Sequence, residues 1–276
     1  MGSVTILDKS EVLSGLFGTW DSIDQLLAGL SELQWQTPTP LPGWCVHDVV
    51  AHMIGTESSL QGVNAPDADI DVTALDHVRN GVGAVNEAWV RHLSSESAAV
   101  MLQRFRSVTA DRRELLSAMS VDDWNAPTPS PVGLESFGRF MRVRLFDCWM
   151  HEQDIRDGVG SPSSDEDLSG PAARLSLDEI AATMGYVVGK LGKAPEGSRV
   201  AIELTGPLAR TIRVTVDGRA QVVADFGGQD PTATICLDGL LLARLAGGRT
   251  HDTAGVDYRG DAELGSRIVQ HLNYVI

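Results

Sequence analysis

Aromatic residues are scarce in this chain, supplying 5% of its 276 positions, so most of its packing must come from Leu, Val, Ile and Ala. Cysteine is rarer still: Cys45, Cys148 and Cys236 are the only three. They lie far apart, are odd in number and form no C-x-x-C pair, which argues against a disulfide framework or a thiolate zinc knuckle. Positive charge is also in deficit. Against 37 Asp and Glu there are 22 Lys and Arg, a net charge of −15. Nucleic acid and anionic membrane surfaces both reward clustered Lys and Arg, so neither is expected as a partner. A small anionic ligand needs only one or two arginines and is compatible with this balance. No apolar run approaches the roughly 20 residues that span a bilayer. The start, MGSVTILDKSEV, lacks the basic and apolar pattern of a signal peptide. Helical sequence begins near Asp8, which argues against a myristoylated tail at Gly2. A cytoplasmic protein is expected.

What is present is helical periodicity followed by β-branched runs. Val12, Leu16, Trp20, Ile23, Leu26, Leu27 and Leu30 keep helical spacing between Asp8 and Leu33. The prolines of Thr37–Trp44 predict an extended connector. A second helix follows from Val46, then an acidic loop over Asn64–Asp71. Helical patterns cover Val72–Leu93 and Ser97–Met119, a loop covers Ala126–Gly133, and a last long helix runs through ESFGRFMRVRLFDCWMHEQDIRD to a C-cap at Gly158. GVGSPSSDEDLSG has linker composition. We therefore expect a helical domain over residues 1–160 and an α+β domain over 171–276. The second contains a helix over Pro171–Leu191, strands at RVAIEL, TIRVTV, AQVVADF and TATICL, and helices at Gly239–Ala246 and Ala262–Leu272. Its helices are expected on one face of a small antiparallel sheet.

Three residues suggest chemistry. Asp147 and His151 stand at i and i+4, on one helix face a turn apart. His52 lies mid-helix in the apolar stretch VVAHMIG, where an unpartnered imidazole is costly to bury. A carboxylate and an imidazole on adjacent turns chelate metals in helical bundles, and His52 is the best-placed third ligand. The residue types alone leave open a surface Asp–His pair and a hydrogen-bonded core histidine. His47 points to a different face from His52. His77, His92, His251 and His271 fall in polar surroundings, as solvated histidines do. No nucleophile elbow, Walker loop or dinucleotide glycine fingerprint occurs.

LPGWCVHDVVAHMIGTE, RLFDCWMHEQDIRDGVG and VDYRGDAELGSRIV together resemble the mycothiol-dependent maleylpyruvate isomerase family, over nearly the whole chain. The resemblance implies a two-domain α plus α/β fold, with a DinB-like four-helix bundle followed by a small sterol-carrier-like domain. It implies a divalent metal, usually zinc, on His52, Asp147 and His151, with an open position for water or the sulfur of mycothiol. Asp147 departs from the Glu often found there and must sit closer to the metal. Asp154 suits an imidazole N–H, a surface ion pair with Arg156 or Arg142 being the alternative. Arginine in the second domain is available for a substrate carboxylate; Arg244 and Arg249 are candidates, with Arg144 on the bundle's last helix.

The implied function is a zinc-dependent, mycothiol-using isomerase or S-transferase acting on a small electrophile, as a monomer or homodimer. A non-catalytic small-molecule binding protein and a DinB-type stress protein with a structural metal are the alternatives.

Overall fold

The computed structural model describes residues 4–68 and 70–274. Gly2 and Asp69 of the acidic loop lie outside them. The chain folds as two units, Met1–Ser163 and Ser164–Ile276.

In the first unit, helix α1 (Lys9–Ala28) begins where the Asp8 carboxylate accepts the Glu11 backbone N–H, a cap that also suits the helix dipole. It buries Val12, Leu16, Trp20, Ile23 and Leu27, one stripe at helical spacing. A single turn, α2 (Glu32–Trp35), leads into the proline connector, across which Pro38 and Cys45 pair. Then come α3 (Val46–Ser59), α4 (Gly81–Leu93), α5 (Ala98–Ala118), α6 (Val121–Asn125) and α7 (Phe137–Val159). Helices α1 and α3 each pack on both α5 and α7, closing a four-helix bundle, and α4 packs on α3. Contact between α3 and α4 is close because position 55 is glycine: a Cβ there would lie 2.3 Å from the Trp89 ring.

Four local expectations are corrected. The helical pattern over Val72–Leu93 is a 3-10 turn at Val72–Ala74 and then α4, because Asn80 leaves helical geometry to cap it through the Gly83 N–H. The expected loop at Ala126–Gly133 is mostly a hairpin, β1 (Pro127–Ser130) with β2 (Gly133–Ser136). Its reversal uses Gly133 at φ 101°, a conformation open to glycine. Gly158 is not the cap of α7. The left-handed cap is Gly160, at φ 67°, while Gly158 lets the connector backbone come close, since a Cβ there would sit 3.0 Å from the Pro38 carbonyl oxygen. Finally, the helix expected over Pro171–Leu191 is not uniform.

In the second unit, α8 (Asp165–Leu168) precedes α9 (Pro171–Tyr186), which ends in a π turn at Val187–Leu191. The sheet holds β3 (Arg199–Thr205), β4 (Arg210–Asp217), β5 (Arg219–Val223), β6 (Ala233–Asp238) and β7 (Asp257–Gly260), in the order β5-β4-β3-β6-β7. It is mixed rather than antiparallel. After the β4–β5 hairpin the chain returns to the far side of β3, and β6 pairs with it in parallel. Val200, Ile202, Val214, Ile235 and Leu237 alternate onto the buried face, where α9, α10 (Gly239–Ala246) and α11 (Ala262–Val269) contact the strands. Among the described residues no helix is long and apolar enough to cross a membrane.

Candidate metal centre

His52 is buried at the middle of α3 because that helix is apolar nearly all round, from Val46 to Gly55. Asp147 and His151 project from α7, which packs against α3. The structure brings the three together. His52 Nε2 is 3.5 Å from Asp147 Oδ2, and His151 Nε2 is 3.5 Å from Asp147 Oδ1. One ligand atom from each lies within 4.8 Å of the other two. Metal–ligand bonds of about 2.0–2.1 Å at tetrahedral angles separate donor atoms by about 3.4 Å, close to the two His–Asp separations of 3.5 Å. The imidazoles are buried, whereas the Asp147 side chain is 34% exposed, so the cluster opens to solvent at its carboxylate edge.

The neighbours orient each member. His151 Nδ1 lies 3.0 Å from Asp154 Oδ2, which favours the tautomer protonated at Nδ1 with its Nε2 lone pair turned inward. Asp154 therefore faces the imidazole, while Arg156 pairs with Glu152 at 2.8 Å. His52 Nδ1 is 3.5 Å from Thr56 Oγ1, and the Trp44 ring lies against the His52 ring with centroids 5.4 Å apart. Burial raises the Asp147 carboxyl, but His151 and Arg144 beside it outweigh that and hold it well below the usual carboxylate range. Burial also works against the His151 cation, yet Asp147 and Asp154 overcome it and raise its pKa. For His52 burial prevails, with His151 and Arg144 adding to it over the opposing pull of Asp147, and the pKa falls. Two imidazole nitrogens and a carboxylate oxygen within 4.8 Å of one another form a donor set that suits a divalent metal.

Behind the cluster lies a feature the sequence reasoning missed. Glu57 is buried on α3 and accepts from Arg112 Nε at 2.9 Å and from Arg144 Nη2 at 2.9 Å. Arg144 also donates to Asp147 Oδ2 at 2.6 Å, so its guanidinium is spent on two carboxylates. The stretch before Glu57, VVAHMIGT, is apolar apart from His52 and Thr56, and all of it but Thr56 is buried. His77, expected to be solvated, instead places Nε2 3.0 Å from the buried Glu87 carboxylate, which also accepts from the Trp44 indole N–H. His47 is buried against the Glu96 carbonyl oxygen. Arg244 and Arg249 belong to the second unit, at the end of α10 and just beyond it. Arg249 Nη1 donates to the Gly247 carbonyl at 2.6 Å. A cleft of about 230 Å³ lies nearby, lined by Leu245, Thr250, His251 and Asn273 among others.

Cys148 adjoins Asp147 but offers no nucleophile. It has no exposed surface, and burial, opposed by Arg144 and reinforced by Glu57 and Asp147, pushes its thiol up to about 12. In folded protein at pH 8, iodoacetamide is expected to label Cys45 and Cys236, both part-exposed, and to spare Cys148 until the chain is unfolded. Mass spectrometry showing Cys148 labelled as fast as Cys236 would contradict this burial.

Comparison with known proteins bears on both units. Residues 16–156 match the family model described as mycothiol maleylpyruvate isomerase N-terminal domain, and residues 174–267 match the model of its C-terminal domain. Two uncharacterized proteins of Mycobacterium tuberculosis, from strains CDC 1551 and H37Rv, are each 25% identical over 158 residues, covering 55% of this chain. The match spans 58% of the length of those curated relatives. Among solved structures, the mycothiol-dependent maleylpyruvate isomerase aligns at 18% identity with a TM-score of 0.61, covering 94% of this chain and 95% of that one. A histidine-to-alanine variant of that isomerase aligns at 17% identity with a TM-score of 0.59, at the same coverage. At these identities the likeness shows a shared two-domain fold.

Proposed function

The chain belongs to the mycothiol maleylpyruvate isomerase family, and from that premise we propose that it is a cytoplasmic, zinc-dependent isomerase or S-transferase that uses mycothiol against a small electrophile. The observation that carries this is the convergence of His52, Asp147 and His151 within one another's coordination distance. Those three residues would hold the metal through the two Nε2 atoms and a carboxylate oxygen. A bound divalent cation lowers the pKa of a thiol in its open position, so that thiolate is available at neutral pH.

The chain's own residues do the rest. Asp154 holds the His151 ring so that Nε2 faces the cluster, and Arg144 holds the Asp147 carboxylate. Buried imidazoles keep water from two sides, while the exposed edge at Asp147 admits a co-substrate. The Cys148 thiol beside Asp147 is enclosed, so the nucleophile in this reading comes from outside the chain. Arg244 and Arg249 are the second unit's candidates for a substrate carboxylate.

Metal content and thiol consumption test the proposal together. Purified protein is expected to carry about one divalent metal per chain, and with mycothiol to consume or isomerise at least one member of a panel of small electrophiles, maleylpyruvate included, above the spontaneous rate. A metal-free protein that refuses added zinc would sink the proposal. Metal-loaded protein that binds the electrophiles without turning any over would instead make it a binding protein.

A further inference from the structure

Arg144 has a more specific place in this site than that of one more arginine. Its Nε and Nη2 donate to the same oxygen, Glu57 Oε1, at 3.2 and 2.9 Å, and its Nη1 donates to Asp147 Oδ2 at 2.6 Å. Glu57 is itself fixed, its other oxygen receiving Arg112 Nε at 2.9 Å. The chain Arg112–Glu57–Arg144–Asp147 thus runs from α5 through α3 to α7, and Glu57, Arg112 and Arg144 are all nearly inaccessible. It also ties together the two helices that carry His52 and His151.

The two oxygens of Asp147 are therefore not equivalent. Oδ2, which lies 3.5 Å from His52 Nε2, also accepts the guanidinium at 2.6 Å, while Oδ1 lies 3.5 Å from His151 Nε2. Aspartate has a short side chain and little freedom to swing once one oxygen is pinned at 2.6 Å. We propose that Arg144, anchored by Glu57, is a positioning residue that makes Asp147 a one-oxygen metal ligand through Oδ1. It thereby prevents two-oxygen chelation and keeps a coordination position vacant for an incoming ligand. This rests on the metal centre proposed above. Arginine is required because its planar fork reaches two carboxylates at once; a lysine ammonium has one nitrogen at the end of a flexible stem.

Cobalt(II) substitution reads this directly. R144K keeps the charge but cannot bridge Glu57 and Asp147. It is expected to bind cobalt roughly 10–100-fold more weakly in a chelator competition, the usual effect of losing a partner behind a metal ligand. Its visible bands are expected to weaken from the intensity of a four-coordinate ion toward that of a five-coordinate one, as the freed carboxylate engages both oxygens. E57D retains every charge but withdraws the anchor by one methylene, and is expected to shift both measurements the same way by a smaller factor. Should R144K not fold by circular dichroism, E57D decides. A folded variant with the cobalt affinity and spectrum of the wild type overturns the positioning role and leaves the metal centre standing. A wild type that takes up no cobalt overturns both.

Discussion

Replacing His52 or His151 by alanine is expected to reduce bound divalent metal from about one equivalent per chain to near none, read by elemental analysis after dialysis. A catalytic zinc centre rests on three protein ligands, and here each comes with its partners in place. Removing one imidazole leaves a two-point chelate, which dialysis empties. The loss should exceed the roughly 10–100-fold that follows from removing a group merely hydrogen-bonded to a ligand, so it is larger than that expected for R144K. Neither substitution should unfold the bundle. Each imidazole is one buried side chain among many apolar ones in α3 and α7, and alanine favours helix. Stoichiometric metal in both folded variants would mean that the ion is held elsewhere.

The largest effect on stability is expected at Glu57. Glu57→Leu leaves Arg112 and Arg144 buried, at 2% and 6% exposure, without the carboxylate between them. Breaking a buried ion pair by removing one partner costs about 3–5 kcal/mol, because the surviving charge is uncompensated. That is a large part of the roughly 5–15 kcal/mol that holds a domain folded. The unfolding midpoint of the bundle should fall by on the order of 10 °C, measured by calorimetry. A loss below about 1 kcal/mol, the range of surface ion pairs, would show that water reaches these groups in solution. The triple variant E57L/R112M/R144L removes all three charges together and should recover much of the loss, as apolar replacements of buried ion clusters do.

The parts of the molecule legible in the sequence are those set by local periodicity. The 3.6-residue pattern located the four long helices, and the spacing of Asp147 and His151 placed both on one face of α7. Non-local pairing was not legible. Nothing in TATICL says that it joins β3 in parallel, since the strand's partner is decided by where the preceding loop returns. Cap positions failed for a similar reason. Gly158 and Gly160 are interchangeable as sequence signals, yet the first stays helical with the Pro38 carbonyl oxygen close to it and the second is the left-handed cap. Glu57 marks the third kind of gap. A carboxylate after an apolar run reads as the start of a surface, and its burial depends on arginines 55 and 87 residues away. Residue chemistry named His52 as the best-placed third ligand to Asp147 and His151 but left a surface pair and a core histidine open, and the resemblance favoured the metal reading.

The enclosed thiol of Cys148 has a consequence for how such a protein would fail under oxidative stress. Enzymes that carry their own reactive cysteine are inactivated by oxidation of the chain, a lesion that is repaired or becomes permanent molecule by molecule. Here the sulfur beside the proposed metal centre is out of reach, and the proposed working sulfur arrives as a co-substrate. Activity would then follow the cell's ratio of reduced to oxidised small thiol, falling when that pool is depleted. It would return as soon as the pool is restored, with no repair of the centre itself.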